Sequence, residues 1–237
     1  MEVEAAAGEA IVLVGGLGTR LRPLVSDVPK PLAPVAGRPF LAWVLEHLAE
    51  AGVRRAILAT GYMAGAVQSA IGTEWHGMAV DYSIEDAPLG TGGAVRKARA
   101  MLRGDGVHVL NGDTFLRYSP AALAAATIRN GAGIGVALAE VDDVSRYGAV
   151  ERDGDTIVRF SEKGRHGAGW INAGCYFLPL GTLAALPDAD AFSLEAEVVA
   201  PLAAAGRAIG YDGTRGFIDI GVPEDYQRAQ SLFGGQA

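Results

Sequence analysis

Through the first half of the chain, short apolar runs that end in glycine or a polar turn alternate with stretches of helical period, and few folds accept that order. Residues 10–14 form such a run, stop at Gly15-Gly16 and read as a buried strand. Leu41, Val44, Leu45 and Leu48 then recur at helical spacing after Pro39, with Gly52 as the stop. The pattern continues with a strand at 56–59, a helix at 63–71, a strand at 80–84, a helix at 94–102 and a strand at 107–110. That last strand runs straight into Asn111-Gly112-Asp113, and a helix at 121–127 and a strand at 134–139 follow. The alternation predicts an α/β fold with helices on both faces of the sheet and a ligand crevice beyond the carboxyl ends of the strands. The glycine loop after the first strand and Asp113 then share one crevice.

The second half is more mixed. Short strands are expected at 148–151 and 157–161 around a turn at Asp153-Gly154-Asp155, then a strand at 171–177 and helices at 194–205 and 224–232. No linker, repeat or low-complexity block interrupts the chain, so residues 10–237 are expected to form one domain. Residues 1–9 are acidic, alanine-rich and without a clear period, and are expected to be a disordered N-terminus or an appended remnant.

A formal net charge of -7 argues against general nucleic-acid binding, which needs a basic surface, but leaves room for a local cluster of cations around a small anion. The single cysteine, Cys175, makes no internal disulfide and reads as a buried strand residue. The four histidines, at 47, 76, 108 and 166, form no metal-spaced pair. No apolar stretch reaches the roughly 18 residues of a membrane span, and no secretion signal is evident, so the expected compartment is the cytoplasm, with no membrane partner.

Five segments concentrate the polar chemistry. The first is Val14-Gly15-Gly16-Leu17-Gly18-Thr19-Arg20-Leu21. A strand ending in three glycines and a threonine offers unobstructed backbone N–H groups, which suits phosphate oxygens. Leu21 stands where a dinucleotide fingerprint needs its third glycine, and no Gly-Lys-Ser/Thr follows, so this is neither a nicotinamide-cofactor motif nor a P-loop. A tight turn alone would explain the glycines; Arg20, Arg22 and Pro29-Lys30-Pro31 favour phosphate, since a lysine between prolines fixes a positive charge on a stiff segment.

The second segment, Glu85 to Ala94, reads as a glycine-rich turn that opens a helix and leaves its backbone bare for a base or ribose. Glu85 at its mouth accepts hydrogen bonds only, and guanine offers two adjacent donors where uracil and thymine offer one. Glu85 therefore favours GTP if it faces the base; otherwise it caps the helix or faces solvent. The third segment, Leu110-Asn111-Gly112-Asp113, points a carboxylate into the crevice, and Asp219 in Phe217-Ile218-Asp219 is a second candidate for holding Mg2+. A buried capping role is the alternative for Asp219. The remaining segments, Ser161-Glu162-Lys163 and Asn172-Ala173-Gly174, are ordinary strand ends when taken singly.

Taken in order, these segments resemble the sugar-phosphate nucleotidyltransferases. The shared pattern is Gly15-Gly16-x-Gly18-Thr19-Arg20-Leu21-x-Pro23-Leu24, Pro29-Lys30-Pro31, the second glycine-rich loop, Gly112-Asp113, Glu162-Lys163, Asn172-x-Gly174 and Asp219-x-Gly221, spread from Ile11 to Gly221. The resemblance implies a single-domain, Rossmann-like mixed sheet flanked by helices. It implies catalytic roles for Arg20, Lys30 and Asp113, with Mg2+ held by Asp113 and Asp219. Val14, Gly15, Gly16, Gly18, Thr19, Glu85, Leu89, Gly90, Thr91 and Asp113 would bind the nucleotide; Gly148, Glu162, Lys163, Asn172 and Gly174 would bind the sugar phosphate. The implied partners are a nucleoside triphosphate and a sugar 1-phosphate, with oligomeric state open. The run Pro88 to Ala94 and the chain length are most similar to D-glycero-α-D-manno-heptose 1-phosphate guanylyltransferases. Mannose-1-phosphate guanylyltransferases and sugar uridylyl- or thymidylyltransferases are alternatives. A non-catalytic nucleotide-sugar sensor would not need the full set of Arg20, Lys30, Asp113 and Asp219.

Overall fold

Strand β1 (Glu9–Leu13) shows why the first apolar run has no polar alternation. Ala10 and Val12 join the core on one side of the sheet, Ile11 joins the core on the other, and all three are fully buried. The strand begins one residue earlier than expected. Glu9, assigned from sequence to the N-terminal tail, pairs with Arg55 at 2.7 Å and accepts the Arg103 and Gly104 N–H groups at 2.8 Å. The computed structural model describes residues 8–16, 21, 25, 28–161 and 163–235.

After β1 come a short 3-10 turn (Lys30–Leu32), the ribbon strands β2 (Pro34–Val35) and β3 (Arg38–Pro39), and helix α1 (Phe40–Glu50). Then follow β4 (Arg55–Thr60), α2 (Ala64–Ile71), β5 (Glu74–Trp75), β6 (Met78–Ile84), α3 (Gly90–Ala98), β7 (Gly106–Asn111), β8 (Thr114–Arg117) and α4 (Pro120–Arg129). The second half supplies β9 (Ile134–Val141), β10 (Val150–Asp153), β11 (Thr156–Phe160), β12 (Gly169–Pro179) and α5 (Leu180–Ala184). A π-helical turn (Glu195–Val199) leads into α6 (Ala200–Ala204), and β13 (Ala208–Tyr211), β14 (Arg215–Asp219) and α7 (Pro223–Gly234) complete the fold.

Ten strands form one sheet in the order β10-β11-β13-β9-β12-β7-β1-β4-β6-β5. Strands β7, β1, β4 and β6 are parallel, as the strand–helix alternation predicts. Strand β12 enters antiparallel between β7 and β9, which makes the sheet mixed. Strands β8 and β14 leave the main sheet and pair with each other. One face packs on α1, α2, α4 and α7, the other on α3, α5 and α6. Phe233 of α7 stacks on Trp43 at 4.7 Å and meets Phe115 edge-on at 4.9 Å, which fixes the helix that follows β14. No helix among the described residues is long and apolar enough to cross a membrane.

Two helix expectations change. The glycine-rich turn before residue 94 is itself the first turn of α3, which starts at Gly90. The helix expected at 194–205 is split, because Ala200 N–H reaches back to Glu195 O and winds the first part as a π-turn. Pro201, with no N–H to give, stands at the start of the α-helical part.

His108 lies in the middle of β7, fully buried, with its ring 5.0 Å from that of Phe177. Burial pushes its pKa down to about 3, against a smaller opposing contribution from the Tyr176 backbone. The folded-state value lies below the unfolded one, so the unfolded chain binds the extra proton first. The stability of neutral His108 is complete above the unfolded value and is lost as pH falls toward the folded one. At pH 5 the loss is about 2 kcal/mol. His108→Leu is therefore expected to lose about 2 kcal/mol less than wild type between pH 7 and pH 5, by urea unfolding. Identical losses in the two proteins would contradict it.

Candidate active site

Two adjoining cavities open beyond the carboxyl ends of the central strands. The larger, about 840 Å³, is lined by Gly15, Gly16, Lys30, Glu85, Thr91 and Asp113 among others. The smaller, about 510 Å³, includes Tyr147, Gly148, Lys163, Asn172, Gly174 and Glu195. Asn111, Thr114 and Asp219 line both, so the cavities meet at the ends of β7 and β14.

The charged groups concentrate at this junction. Pro29 is extended and Lys30 begins the 3-10 turn, which brings the lysine under the crevice. Its Nζ lies 2.5 Å from Asp113 Oδ2 and 3.6 Å from Asp219 Oδ1, with only 12% of the side chain exposed. Arg146 approaches Asp219 at 3.7 Å and also pairs with Asp225 at the start of α7. Asp219 Oδ1 accepts the Gly221 N–H at 2.7 Å. Burial, and then the charge of Asp113, hold the Asp219 carboxyl above the usual range despite Lys30, Gly221 and Arg146. A divalent cation beside the two carboxylates would favour their ionised form. Two carboxylates with no sulfur or imidazole suit a hard cation that takes its other ligands from phosphates and water. Among the described residues no cluster of three or more His, Cys, Asp or Glu could hold a metal by itself.

On the nucleotide side, Val14 lines the larger cavity; it is buried and its N–H is committed to Ala59 O at 2.9 Å. Gly15 and Gly16 line the cavity. Glu85 follows β6, donates its N–H to Thr60 O at 2.6 Å and lines the same cavity. Its Oε2 accepts the Leu89 N–H at 3.3 Å while Oε1 faces Gly15. The side chain thus lines the cavity and also bonds the backbone just ahead of α3. Burial raises the Glu85 pKa above its ordinary value.

Leu89, Gly90 and Thr91 also line this cavity, and the glycines of α3 serve a packing purpose as well. A Cβ on Gly90 would meet Phe192 O at 2.5 Å, one on Gly93 would meet Asp190 O at 2.5 Å, and one on Gly92 would overlap the Phe192 ring. The glycines make room for the segment before the π-turn, which lies across the start of α3.

On the other side, β12 slips register between Asn172 and Cys175. The bulge carries Gly174 at φ +70, and its missing Cβ would sit 2.5 Å from Asn111 Nδ2. Only glycine satisfies both the backbone angle and the close approach. The bulge turns Asn172 and Gly174 into the smaller cavity, where Gly174 N–H donates to Asn172 Oδ1 at 3.0 Å. Gly148 and Lys163 line the same space. Gly18, Thr19, Arg20 and Glu162 lie outside the described residues, as do Leu17 and Arg22.

Sequence reasoning left Asn111, Arg146, Tyr147 and Glu195 out of the site. Asn111 stands two residues before Asp113 in the same strand-end turn, which is the signal that could have found it. Arg146-Tyr147 precedes Gly148 in a loop with no period to mark it. Glu195 lies inside an ordinary helical pattern and reaches the smaller cavity only because the chain folds back across α3.

A lysine between two carboxylates, set beside a glycine-rich strand end at the carboxyl edge of parallel strands, defines a protein that handles nucleotide phosphates. The chain belongs to the nucleotidyl transferase family, whose model matches residues 9–233. It is 37% identical over 222 residues to D-glycero-alpha-D-manno-heptose 1-phosphate guanylyltransferase of Aneurinibacillus thermoaerophilus, covering 94% of this chain and 96% of the relative. It is also 37% identical over 228 residues to mannose-1-phosphate guanylyltransferase of Mycobacterium tuberculosis, covering 94% of this chain and 64% of the relative. The crystal structure of HddC from Yersinia pseudotuberculosis complexed with GMP-PN superposes with a TM-score of 0.84 at 35% identity, covering 95% of this chain and 99% of that one.

Proposed function

We propose that the chain transfers GMP from GTP to D-glycero-α-D-manno-heptose 1-phosphate, giving the GDP-sugar and pyrophosphate, with magnesium as its cofactor. The observation that carries this reading is the junction of the two cavities, where Lys30, Asp113 and Asp219 gather. A triphosphate in the larger cavity and a sugar phosphate in the smaller would bring their phosphates together there. A phosphate oxygen of the sugar 1-phosphate bonds to the α-phosphorus of GTP as the bond from that phosphorus to pyrophosphate breaks, its electron pair leaving with pyrophosphate. The attacking oxygen is already an anion, so no general base is needed, and catalysis reduces to positioning and charge neutralisation. Lys30 and Arg20 are assigned to the phosphates, Gly15, Gly16 and Gly18 to the nucleotide, and Glu162 and Lys163 to the sugar phosphate. Asp113 and Asp219 would hold magnesium, which would supply positive charge to the reacting phosphates.

The names of the relatives support guanosine and a manno-configured sugar. The position of Glu85 in the larger cavity supports guanosine independently, since guanine N1–H and N2 would both donate to its carboxylate. Glu85→Gln is expected to reduce the preference for GTP over UTP by about ten- to a hundredfold in kcat/KM. An unchanged ratio removes Glu85 from base recognition. Lys163→Ala is expected to raise KM for the sugar phosphate well above any change in KM for the nucleotide, because Lys163 lines only the smaller cavity. Equal changes in both would place it elsewhere.

The sugar itself is tested by competition. Heptose 1-phosphate and mannose 1-phosphate, offered together at equal concentration with GTP, should give mainly GDP-heptose. Predominant GDP-mannose would make mannose 1-phosphate the substrate.

A further inference from the structure

Glu195 stands between the two cavities and holds a group from each. On the nucleotide side, Thr91 Oγ1 donates to its Oε2 at 2.7 Å, and Ser193 Oγ donates to the same oxygen at 3.0 Å. On the sugar side, the Tyr176 hydroxyl donates to its Oε1 at 3.4 Å. Both hydroxyls have their protons directed toward the carboxylate. Thr91 Oγ1 already accepts the Leu194 N–H at 2.8 Å, and the Tyr176 oxygen accepts Asn172 Nδ2 at 2.9 Å. Asn172 in turn holds the Gly174 N–H, which closes the chain at the β12 bulge.

The backbone reinforces the connection. Gly92 N–H donates to Phe192 O at 2.9 Å and Phe192 N–H donates to Leu89 O at 3.0 Å, so the segment carrying Glu195 is laced to the first turn of α3. The missing Cβ atoms of Gly90 and Gly93 leave the gap in which it lies. The π-turn that begins at Glu195 sets this residue at the edge of the smaller cavity.

The geometry points to Glu195 as a positioning residue that couples the two substrates: a nucleotide that orders Thr91 and the start of α3 also orders Tyr176, Asn172 and the sugar wall. The inference rests on the assignment of the larger cavity to the nucleotide and the smaller to the sugar phosphate. A carboxylate does this because each oxygen accepts from a different wall. Alanine breaks both links, while Tyr176→Phe removes only the sugar-side hydroxyl and keeps the buried ring.

The test is calorimetric. The affinity of the α,β-methylene analogue of GTP, which cannot be cleaved at the reacting bond, is measured with and without saturating heptose 1-phosphate. Wild type is expected to bind the analogue about fivefold or more tightly when the sugar phosphate is present. Glu195→Ala and Tyr176→Phe are expected to bring that ratio close to one, while affinity for the analogue alone changes by less than about threefold. A ratio that stays at the wild-type value in Tyr176→Phe, with its thermal midpoint unchanged, overturns the coupling role, as does a wild-type ratio of one. If wild type binds each ligand, the assignment of the cavities survives that outcome. If it binds neither, the assignment and the inference fall together.

Discussion

Asp113→Asn is expected to fold normally and to lose nearly all turnover. The side chain follows β7 directly and reaches the junction of the cavities beside Lys30 and Asp219. Asparagine keeps the shape and one acceptor but removes the charge, so a pair of carboxylates becomes a single one. The loss should be on the order of 4 kcal/mol in the transition state, roughly a thousandfold in kcat. Stability should change little, because Lys30 keeps Asp219 within 3.6 Å and is not left as an unpaired buried cation. Turnover near the wild-type rate at saturating magnesium would remove Asp113 from the reaction. A large drop in the unfolding midpoint would show that the carboxylate serves the fold instead.

Lys30→Ala is expected to be nearly as damaging, and to act on kcat more than on KM. Negative charge accumulates on the oxygens that leave with pyrophosphate, so a fixed cation should interact more strongly with the transition state than with bound GTP. Such a loss amounts to roughly a hundred- to a thousandfold in kcat. The same substitution leaves Asp113 and Asp219 facing each other without their shared partner, which should push the Asp219 carboxyl, already raised by burial and by Asp113, higher still. Steady-state kinetics separates the possibilities. A variant with normal kcat and a raised KM for GTP would mean that Lys30 contributes uniform binding only.

The parallel half of the fold was legible because its strands are buried on both faces and its helices carry one apolar stripe. Ile11 and Val12, neighbours in sequence and both fully buried, are the signature of a strand with helices on each side. The helix expected at 121–127 is α4, which the structure opens at Ser119-Pro120, where the serine hydroxyl accepts the Ala122 N–H. The second half was harder to read. Strand β13 is four residues long and pairs in parallel with β9 about seventy residues earlier, a partnership that no local period reveals. The ribbon of β8 and β14 joins segments a hundred residues apart, yet it is what brings Asp219 to Asp113.

Two members of the junction stood out in the sequence itself: Asp113, where an acid follows a strand end and a glycine, and Lys30, held between prolines; Asn172 and Gly174 stood out only through the family pattern. The glycines of α3 show what such a reading leaves out. Their composition suggested a surface left bare for a base, whereas their Cβ positions are occupied by the segment at 190–192. A sequence pattern records that space is needed but not what fills it. Glu195 escaped for the same reason: its importance depends on contacts with Thr91 and Tyr176 that only the folded chain assembles.

The most direct measurement follows GTP and D-glycero-α-D-manno-heptose 1-phosphate together with magnesium and the purified protein, by phosphorus NMR. The expected result is loss of both substrate signals in equal amounts and the appearance of GDP-heptose and pyrophosphate in equal amounts, with no change when the sugar phosphate is omitted. Unchanged substrates, or release of inorganic phosphate and GDP in place of pyrophosphate, would contradict nucleotidyl transfer to this sugar phosphate.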